Sequence, residues 1–300
     1  MSNPLAPAGK RILRDRPGTA RTWLAALAWT AVFTLQGQCT PAPPEEPACD
    51  AMFLVGVDAS YEERMTVELW QSLRDSHGVR FAFLKTTQGT KIRDDEFAVD
   101  WQGTQAAKIL RGGYHYYIFE QSPVDQAEAF VTRLQQMEAQ YGKAELPPVV
   151  DIEDQENSAI VSGQIPEATA ISDLKQFLGL VAKKTGRRPI VYSYPYFWHK
   201  DMKNTSALTD HHLWMAYYPA GNAETPKLPA LRADKKFPGK PFFGDWRHWK
   251  FWQYSSNGYF DGVSGPRGRI RFDLNTYNGS MKDLLDFAGV PIKDRKPYCN

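Results

Sequence analysis

From residue 52 to residue 194 the sequence alternates short apolar segments, typical of buried strands, with longer amphipathic segments, typical of helices. Parallel strands need a long crossover connection, usually a helix, so this alternation predicts a parallel α/β architecture. The predicted strands are Phe53–Ser60, Val79–Thr87, Gly112–Phe119, Pro148–Glu153 and Pro189–Tyr194. The predicted helices are Thr66–His77, Phe97–Leu110, Val124–Tyr141 and Glu167–Thr185.

After Tyr194 the strands follow one another without a convincing helix between them. The stretch 219–249 is rich in Pro, Gly, Lys and aromatic residues and predicts a long ordered loop, and Met281–Phe287 predicts a short closing helix. The later predicted strands are Leu213–Tyr218, Lys250–Ser255 and Arg271–Tyr277. We therefore expect one domain over residues 52–300, an α/β modified TIM-like barrel of (β/α)5 followed by three further strands.

The first 39 residues have the pattern of a targeting segment. Basic residues extend to Arg21, and the apolar run Trp23–Leu35 follows, roughly 13 residues long. That length is short for a membrane span and typical of a signal-peptide core. The sequence predicts export, with either a cleaved signal peptide or a membrane anchor over 1–39 and a Pro-rich linker over 40–51.

The formal net charge of +2 comes from the same segment, which carries five basic side chains against one acidic. The remainder of the chain is therefore slightly acidic. A slightly acidic body gives no electrostatic reason to expect nucleic-acid binding.

Two of the three cysteines, Cys49 and Cys299, bracket the predicted domain, and Cys39 lies near the expected cleavage region. The first and last strands of a closed barrel are neighbours, so the two chain ends can meet. We expect a Cys49–Cys299 disulfide in an oxidising compartment, and the alternative is two unpaired thiols near the ends of the domain.

Barrel enzymes hold their active sites at the carboxyl ends of the strands, so polar and aromatic side chains at those ends are site candidates. Burying a carboxylate in an apolar strand costs free energy unless the group has a charged or hydrogen-bonding partner, so such a carboxylate often has a functional role. The candidates are Asp58, Lys85, His115, Tyr116, Asp151, Glu153, Trp214, Tyr217, Trp252, Gln253, Asp273 and Asn275.

The triplet Asp151-Ile152-Glu153 carries the sharpest chemical signal among them. Residues two apart in a strand point to the same face, so both carboxylates would face the barrel mouth while Ile152 packs outward. Two neighbouring acids repel, which raises the pKa of at least one and keeps a proton available for a glycosidic oxygen. The triplet alone also fits an ordinary solvated pair of acids.

The ordered series GVDAS, FAFLKTTQGT, GGYHYY, LPPVVDIE, LWMAYY, WQYS and FDLN resembles glycoside hydrolase family 25, the Chalaropsis-type lysozymes. The resemblance covers residues 53–278. It implies a barrel of five β/α units and three further strands. It also implies hydrolysis of the β-1,4 bond between N-acetylmuramic acid and N-acetylglucosamine in peptidoglycan, with no metal or organic cofactor.

When the family's functional residues are placed on the matching motifs, the resemblance implies that Glu153 is the general acid and Asp151 its partner carboxylate. It also implies that Asp58 and Asp273 are further acids of the cleft. Asp151 acts either as a nucleophile or by orienting the substrate's N-acetyl group, and the sequence leaves both roles open. The residues expected to contact the glycan are Lys85, Tyr116, Tyr217, Trp252, Gln253 and Asn275.

Two positions depart from the family pattern. Gln88 stands where the family commonly has Glu, and Tyr61-Glu62-Glu63 stands where an aromatic residue and Gln are frequent. These departures concern contacts with the substrate more than the acid itself. The 219–249 loop is also longer than a minimal member of the family needs.

Other functions fit the sequence less well. A non-catalytic glycan-binding protein on the same barrel is the main alternative, and the four retained acids argue against it. A hydrolase of another N-acetylated polysaccharide would differ in its loops. We interpret His115 as a hydrogen-bonded structural histidine, because no second His or Cys has ligand spacing to it. We expect a monomer whose partner is the peptidoglycan glycan strand.

Overall fold

The computed structural model describes Cys49 and residues 54–218, 242–266 and 268–299. The predicted targeting segment, nearly all of the predicted linker and residues 219–241 of the predicted loop lie outside the described residues. No helix within the described ranges is long and apolar enough to cross a bilayer.

The described strands build the barrel that the sequence predicts. β1 pairs with β2 on one side and with β11 on the other, which closes the sheet. β3 pairs with the last two residues of β2, Thr87 and Gln88. In chain order the strands are β1 Val55–Ala59, β2 Val79–Gln88, β3 Ile92–Arg93, β4 Leu110–Tyr116, β5 Val149–Asp151, β6 Ile190–Ser193, β7 Leu213–Ala216, β8 Trp249–Gly258, β9 Ser264–Gly265, β10 Gly268–Arg269 and β11 Phe272–Tyr277.

The direction of the last barrel strand decides which end of it reaches the site. Neighbouring strands run parallel from β1 through β2 and β4 to β8, whereas β11 is antiparallel to both β8 and β1. The beginning of β11 therefore lies at the carboxyl ends of the other strands. Asp273 in β11 is paired in register with Asp58 in β1.

The long helices lie close to their predicted positions because local signals fix their ends. Thr66 caps α1 by accepting a hydrogen bond from Leu69 N, and Gly78 ends it with a φ of 71°. The described helices are α1 Val67–His77, α2 Phe97–Ala106, α3 Pro123–Tyr141, α4 Ser158–Val161, α5 Glu167–Thr185, α6 Pro195–Lys200, α7 Met281–Ala288 and α8 Lys296–Cys299. The short helices α4, α6 and α8 were not predicted.

Aromatic side chains fill the interior of the barrel below its mouth. Phe83 packs against Trp214 with ring centroids 4.5 Å apart, and Phe251 lies edge-on to Phe83 at 4.9 Å. Gly56 is needed beside them, because a Cβ there would lie 2.3 Å from the ring of Phe81. Because this floor is apolar, the polar groups above it face solvent on the side of the mouth.

A disulfide joins Cys49, which precedes β1, to Cys299, the last residue of α8. Their Cα atoms are 5.2 Å apart, within the range that disulfides span. The bridge therefore ties the two ends of the described domain to each other.

Candidate active site

A cavity of about 580 Å³ opens at the carboxyl ends of the barrel strands. Six acidic and two basic side chains line it, so its lining is strongly acidic. The charged residues of this lining are Asp58, Glu62, Glu63, Asp151, Glu153, Asp273, Lys85 and Arg271. This cavity is called the acidic cleft below.

Asp151 and Glu153 both line the acidic cleft, although β5 ends at Asp151. The extended course continues for one more residue, because Ile152 N donates to Tyr192 O at 3.1 Å. The Ile152 side chain is fully buried in the layer between strands and helices. Alternation along the chain thus places both carboxyl groups on the mouth side.

Burial changes the acidity of this pair. It raises the pKa of Glu153 to about 7. The pKa of Asp151 lies well above its ordinary value, first because the group is buried and second because the Glu153 carboxylate is close. Lys85 offsets part of this effect on both acids. Because the two groups interact, they titrate as a unit that retains a proton near neutral pH.

Asp58 and Asp273 form a second acid pair across the β1–β11 register. Gln253 Nε2 donates to Asp58 Oδ2 at 3.0 Å and to Asp273 Oδ2 at 3.1 Å. Asn275 Nδ2 donates to the same oxygen of Asp58 at 2.7 Å. Burial raises the pKa of Asp58 to about 6 despite these hydrogen bonds, and burial and the Asp58 charge raise that of Asp273 well above its usual value.

The amide of Gln253 is fixed by hydrogen bonds at its other end. Its Oε1 accepts from the Tyr192 hydroxyl at 2.8 Å and from the Tyr218 hydroxyl. This leaves the Nε2 donor aimed at the acids. Asn275 is fixed similarly, because its Oδ1 accepts from Trp214 Nε1 at 2.8 Å. Gln253 and Asn275 therefore position the second acid pair.

A second cavity of about 660 Å³ adjoins the acidic cleft and has an aromatic lining. Glu153 lines both cavities. The tyrosines of the second cavity are Tyr116, Tyr192, Tyr194, Tyr196, Tyr217 and Tyr218. The predicted glycan contacts Tyr116 and Tyr217 thus lie at the site, as does Lys85, whose Nζ is 5.3 Å from the centroid of the Tyr116 ring.

Two predicted glycan contacts do not reach the cleft. Trp252 is fully buried between the barrel wall and the outer layer, where its Nε1 donates to Tyr217 O at 2.8 Å. It points outward because Gln253, the next residue in β8, points inward. Asn275 is also fully buried and supports Asp58 from below. The prediction that these two side chains contact the substrate is corrected accordingly.

His115 is a structural residue, as interpreted from the sequence. It is fully buried, with Nδ1 2.8 Å from Thr87 Oγ1 and Nε2 3.2 Å from Gln126 Oε1. Burial lowers its pKa to about 3, so the ring is neutral. In the described part of the chain, no group of three or more His, Cys, Asp or Glu side chains has a geometry that could hold a metal ion.

Several residues of the cleft were not among the predicted site residues. Glu63 lines it and accepts from Ser60 N at 2.7 Å, and burial raises its pKa to about 7. Tyr192 lies near the end of β6, so its strand-end position was the available signal. Glu63 lies in a loop, and the only signal there was its departure from the family pattern.

Comparisons with known proteins agree with this geometry. The model of the glycosyl hydrolases family 25 matches residues 57–263. Uncharacterized protein YegX of Escherichia coli K12 is 29% identical over 236 residues, covering 78% of this chain and 72% of that protein. Lysozyme M1 of Streptomyces globisporus is 28% identical over 267 residues, covering 87% of this chain and 81% of that protein.

A solved structure shares the fold. The bacterial lysozyme from Streptomyces coelicolor superposes with a TM-score of 0.62 at 26% sequence identity, covering 80% of this chain and 98% of that one. The predicted barrel is therefore confirmed by a solved structure as well as by the strand pairing.

Proposed function

The chain belongs to the glycosyl hydrolases family 25, and from that premise we propose that it is a peptidoglycan muramidase. It cuts the β-1,4 bond between N-acetylmuramic acid and N-acetylglucosamine. The observation that carries this proposal is the position of Glu153, which lines both the acidic cleft and the tyrosine-lined cavity. A glycan that occupies both cavities would place a bond between two sugars beside its carboxyl group.

Glu153 acts in this proposal as the general acid. Its proton passes to the bridging oxygen while the bond from that oxygen to the anomeric carbon breaks, and the bonding electron pair stays on the oxygen. A water molecule then adds to the anomeric carbon, and the proton it loses returns to Glu153. The buried site supports this role because it keeps the Glu153 pKa near 7.

Asp151 stabilises the positive charge that develops at the anomeric carbon. It does so either by attacking that carbon or by orienting the substrate's own N-acetyl oxygen for the attack. In both routes the proton transfer from Glu153 is the same, and the later attack of water breaks the new bond, so that its electron pair returns to the carboxylate or the N-acetyl oxygen. Asp58 and Asp273, held by Gln253, bind polar groups of the sugar in the acidic cleft.

Mass spectrometry of digested peptidoglycan tests the proposed bond. Purified walls incubated with the protein should release fragments whose new reducing ends are N-acetylmuramic acid. New N-acetylglucosamine ends would show that the other glycosidic bond is cut. Binding to walls without any new ends would favour the non-catalytic glycan-binding alternative.

We further propose that the domain acts outside the cytoplasm, with residues 1–39 as signal peptide or anchor. The basic residues and the Trp23–Leu35 apolar run support this, as does the Cys49–Cys299 disulfide. A reporter that is active only after export, fused at the C-terminus, should give full signal with the whole chain and none after deletion of residues 2–39. Equal signals from both fusions would contradict export through this segment.

A further inference from the structure

A third cavity, of about 220 Å³, opens beside the acidic cleft and has a different charge. Three guanidinium side chains line it, together with Tyr259 and the two glutamates Glu62 and Glu63. The arginines are Arg64, Arg269 and Arg271. This cavity is called the arginine pocket below. It adjoins the acidic cleft, because Glu62, Glu63 and Arg271 line both.

The wall of the arginine pocket is held in place by side chains that are buried in the core. Its outer wall includes β9 and β10, and the buried side chains Val263 and Ile270 anchor this hairpin to the core on either side. The Arg269 guanidinium lies 3.9 Å from the centroid of the Tyr259 ring. Stacking of this kind fixes the plane of a guanidinium group.

Arg64 occupies a backbone conformation that favours glycine. Its φ is 48°, in the left-handed region, in the turn between β1 and α1. A long cationic side chain at such a position lines the pocket although the backbone would accept glycine more readily. This gives a variant that removes the guanidinium and relaxes the backbone at the same time.

A basic pocket next to the cleft matches the chemistry of the proposed substrate. In intact peptidoglycan each N-acetylmuramic acid carries a peptide stem with free carboxylates. The acidic cleft offers those carboxylates few cationic partners, since six acidic side chains and two basic ones line it. Glu63 opposes the arginines only weakly below neutral pH, because burial raises its pKa to about 7.

We propose, resting on the muramidase function above, that the arginine pocket binds a free carboxylate of the peptide stem. Guanidinium groups pair with carboxylates through two parallel hydrogen bonds, which a single exposed lysine cannot reproduce. The pocket thereby favours stem-bearing glycan over bare glycan and fixes which muramic acid residue lies in the cleft.

Kinetics on matched substrates test this proposal. The substrates are stem-bearing glycan strands and the same strands freed of peptide by an amidase. We expect Arg269→Gln, at an arginine that lines the arginine pocket but not the acidic cleft, to lower kcat/KM on stem-bearing strands by about tenfold, equivalent to about 1.4 kcal/mol. On bare strands the same variant should change kcat/KM less than about twofold. Arg64→Gly should have the same selective effect with no loss of thermal stability.

Two controls make the result specific. Arg188→Gln removes a guanidinium that pairs with Asp210 at 3.0 Å and lines none of these three cavities, and it should change neither rate. Stems whose carboxylates have been amidated should lower the wild-type rate at least as much as Arg269→Gln does. In the Arg269→Gln variant the amidation should have a smaller effect than in the wild type, because the two changes weaken the same interaction.

The proposal is overturned if Arg269→Gln and Arg64→Gly reduce the rates on stem-bearing and bare strands by the same factor. It is also overturned if amidation lowers the rate by the same factor in Arg269→Gln and in the wild type. Failure of the muramidase function gives a different result, since the wild type would then release no new muramic acid ends from either substrate.

Discussion

Glu153→Gln is expected to lower the rate of glycan cleavage by about 10²–10⁴-fold while binding to insoluble peptidoglycan persists. The amide keeps the shape of the side chain but has no proton that it can transfer to the leaving oxygen. The measurement pairs a reducing-end assay with a pull-down on purified walls. Retained binding separates a chemical defect from loss of the fold.

Glu128→Gln is the matched control. Glu128 is exposed on α3 and pairs with Lys184 at 2.8 Å, an arrangement that contributes little to stability. Its substitution should leave both cleavage and binding at wild-type values. Wild-type cleavage by Glu153→Gln would show that another group donates the proton.

The pH profile of the wild type reports the same proton. The general acid must be protonated in the free enzyme, so kcat/KM should be high at mildly acidic pH and fall as the pH rises through about 7. Because Asp151 and Glu153 interact, the apparent pKa belongs to the pair. A rate that increases steadily above pH 7 would contradict the proposed role of Glu153.

Strand positions and the polar groups at their ends could be predicted because both are local properties of the sequence. Asp58, Asp151 and Glu153 lie at the barrel mouth for the reason that the sequence suggested, the meeting of strand ends at one edge. Asp273 lies at the same end of the barrel because it stands near the beginning of a strand that runs in the opposite direction. β11 is antiparallel, and a hydrophobic pattern of period two is the same in either direction.

Which of two neighbouring strand residues faces inward could not be taken from composition. Trp252 and Gln253 were both predicted to contact the glycan, yet alternation along β8 allows only one of them to face the interior. Phe251, two residues before Gln253, also lies in the interior cluster, so the inward-facing residues of β8 include Phe251 and Gln253. No other feature of the sequence indicated which alternate residues of β8 face inward.

Residues outside the barrel strands were the least predictable part of the site. Glu63, Tyr259 and Arg269 are brought together by the turn after β1, the loop after β8 and the β9–β10 hairpin. Their proximity depends on loop conformations and long-range packing, neither of which hydrophobic periodicity encodes. The arginine pocket therefore became visible only in the folded chain.

Loss of the Cys49–Cys299 disulfide is expected to lower the melting temperature of the domain strongly. The bridge closes a loop with a sequence separation of 250 residues. Chain-entropy estimates for a loop of that length give a stabilisation of about 5 kcal/mol, which corresponds to roughly 10–20 °C in a domain of this size. Calorimetry of exported wild type and of the Cys49→Ser/Cys299→Ser variant measures the difference.

Reduction provides the control for this comparison. A reductant should lower the melting temperature of the wild type to that of the double variant and leave the double variant unchanged. Peptide mapping under non-reducing conditions should recover Cys49 linked to Cys299. Two free thiols in exported protein would contradict the bridge. Because neither cysteine lines the acidic cleft, the folded double variant should still cleave peptidoglycan below its lowered melting temperature.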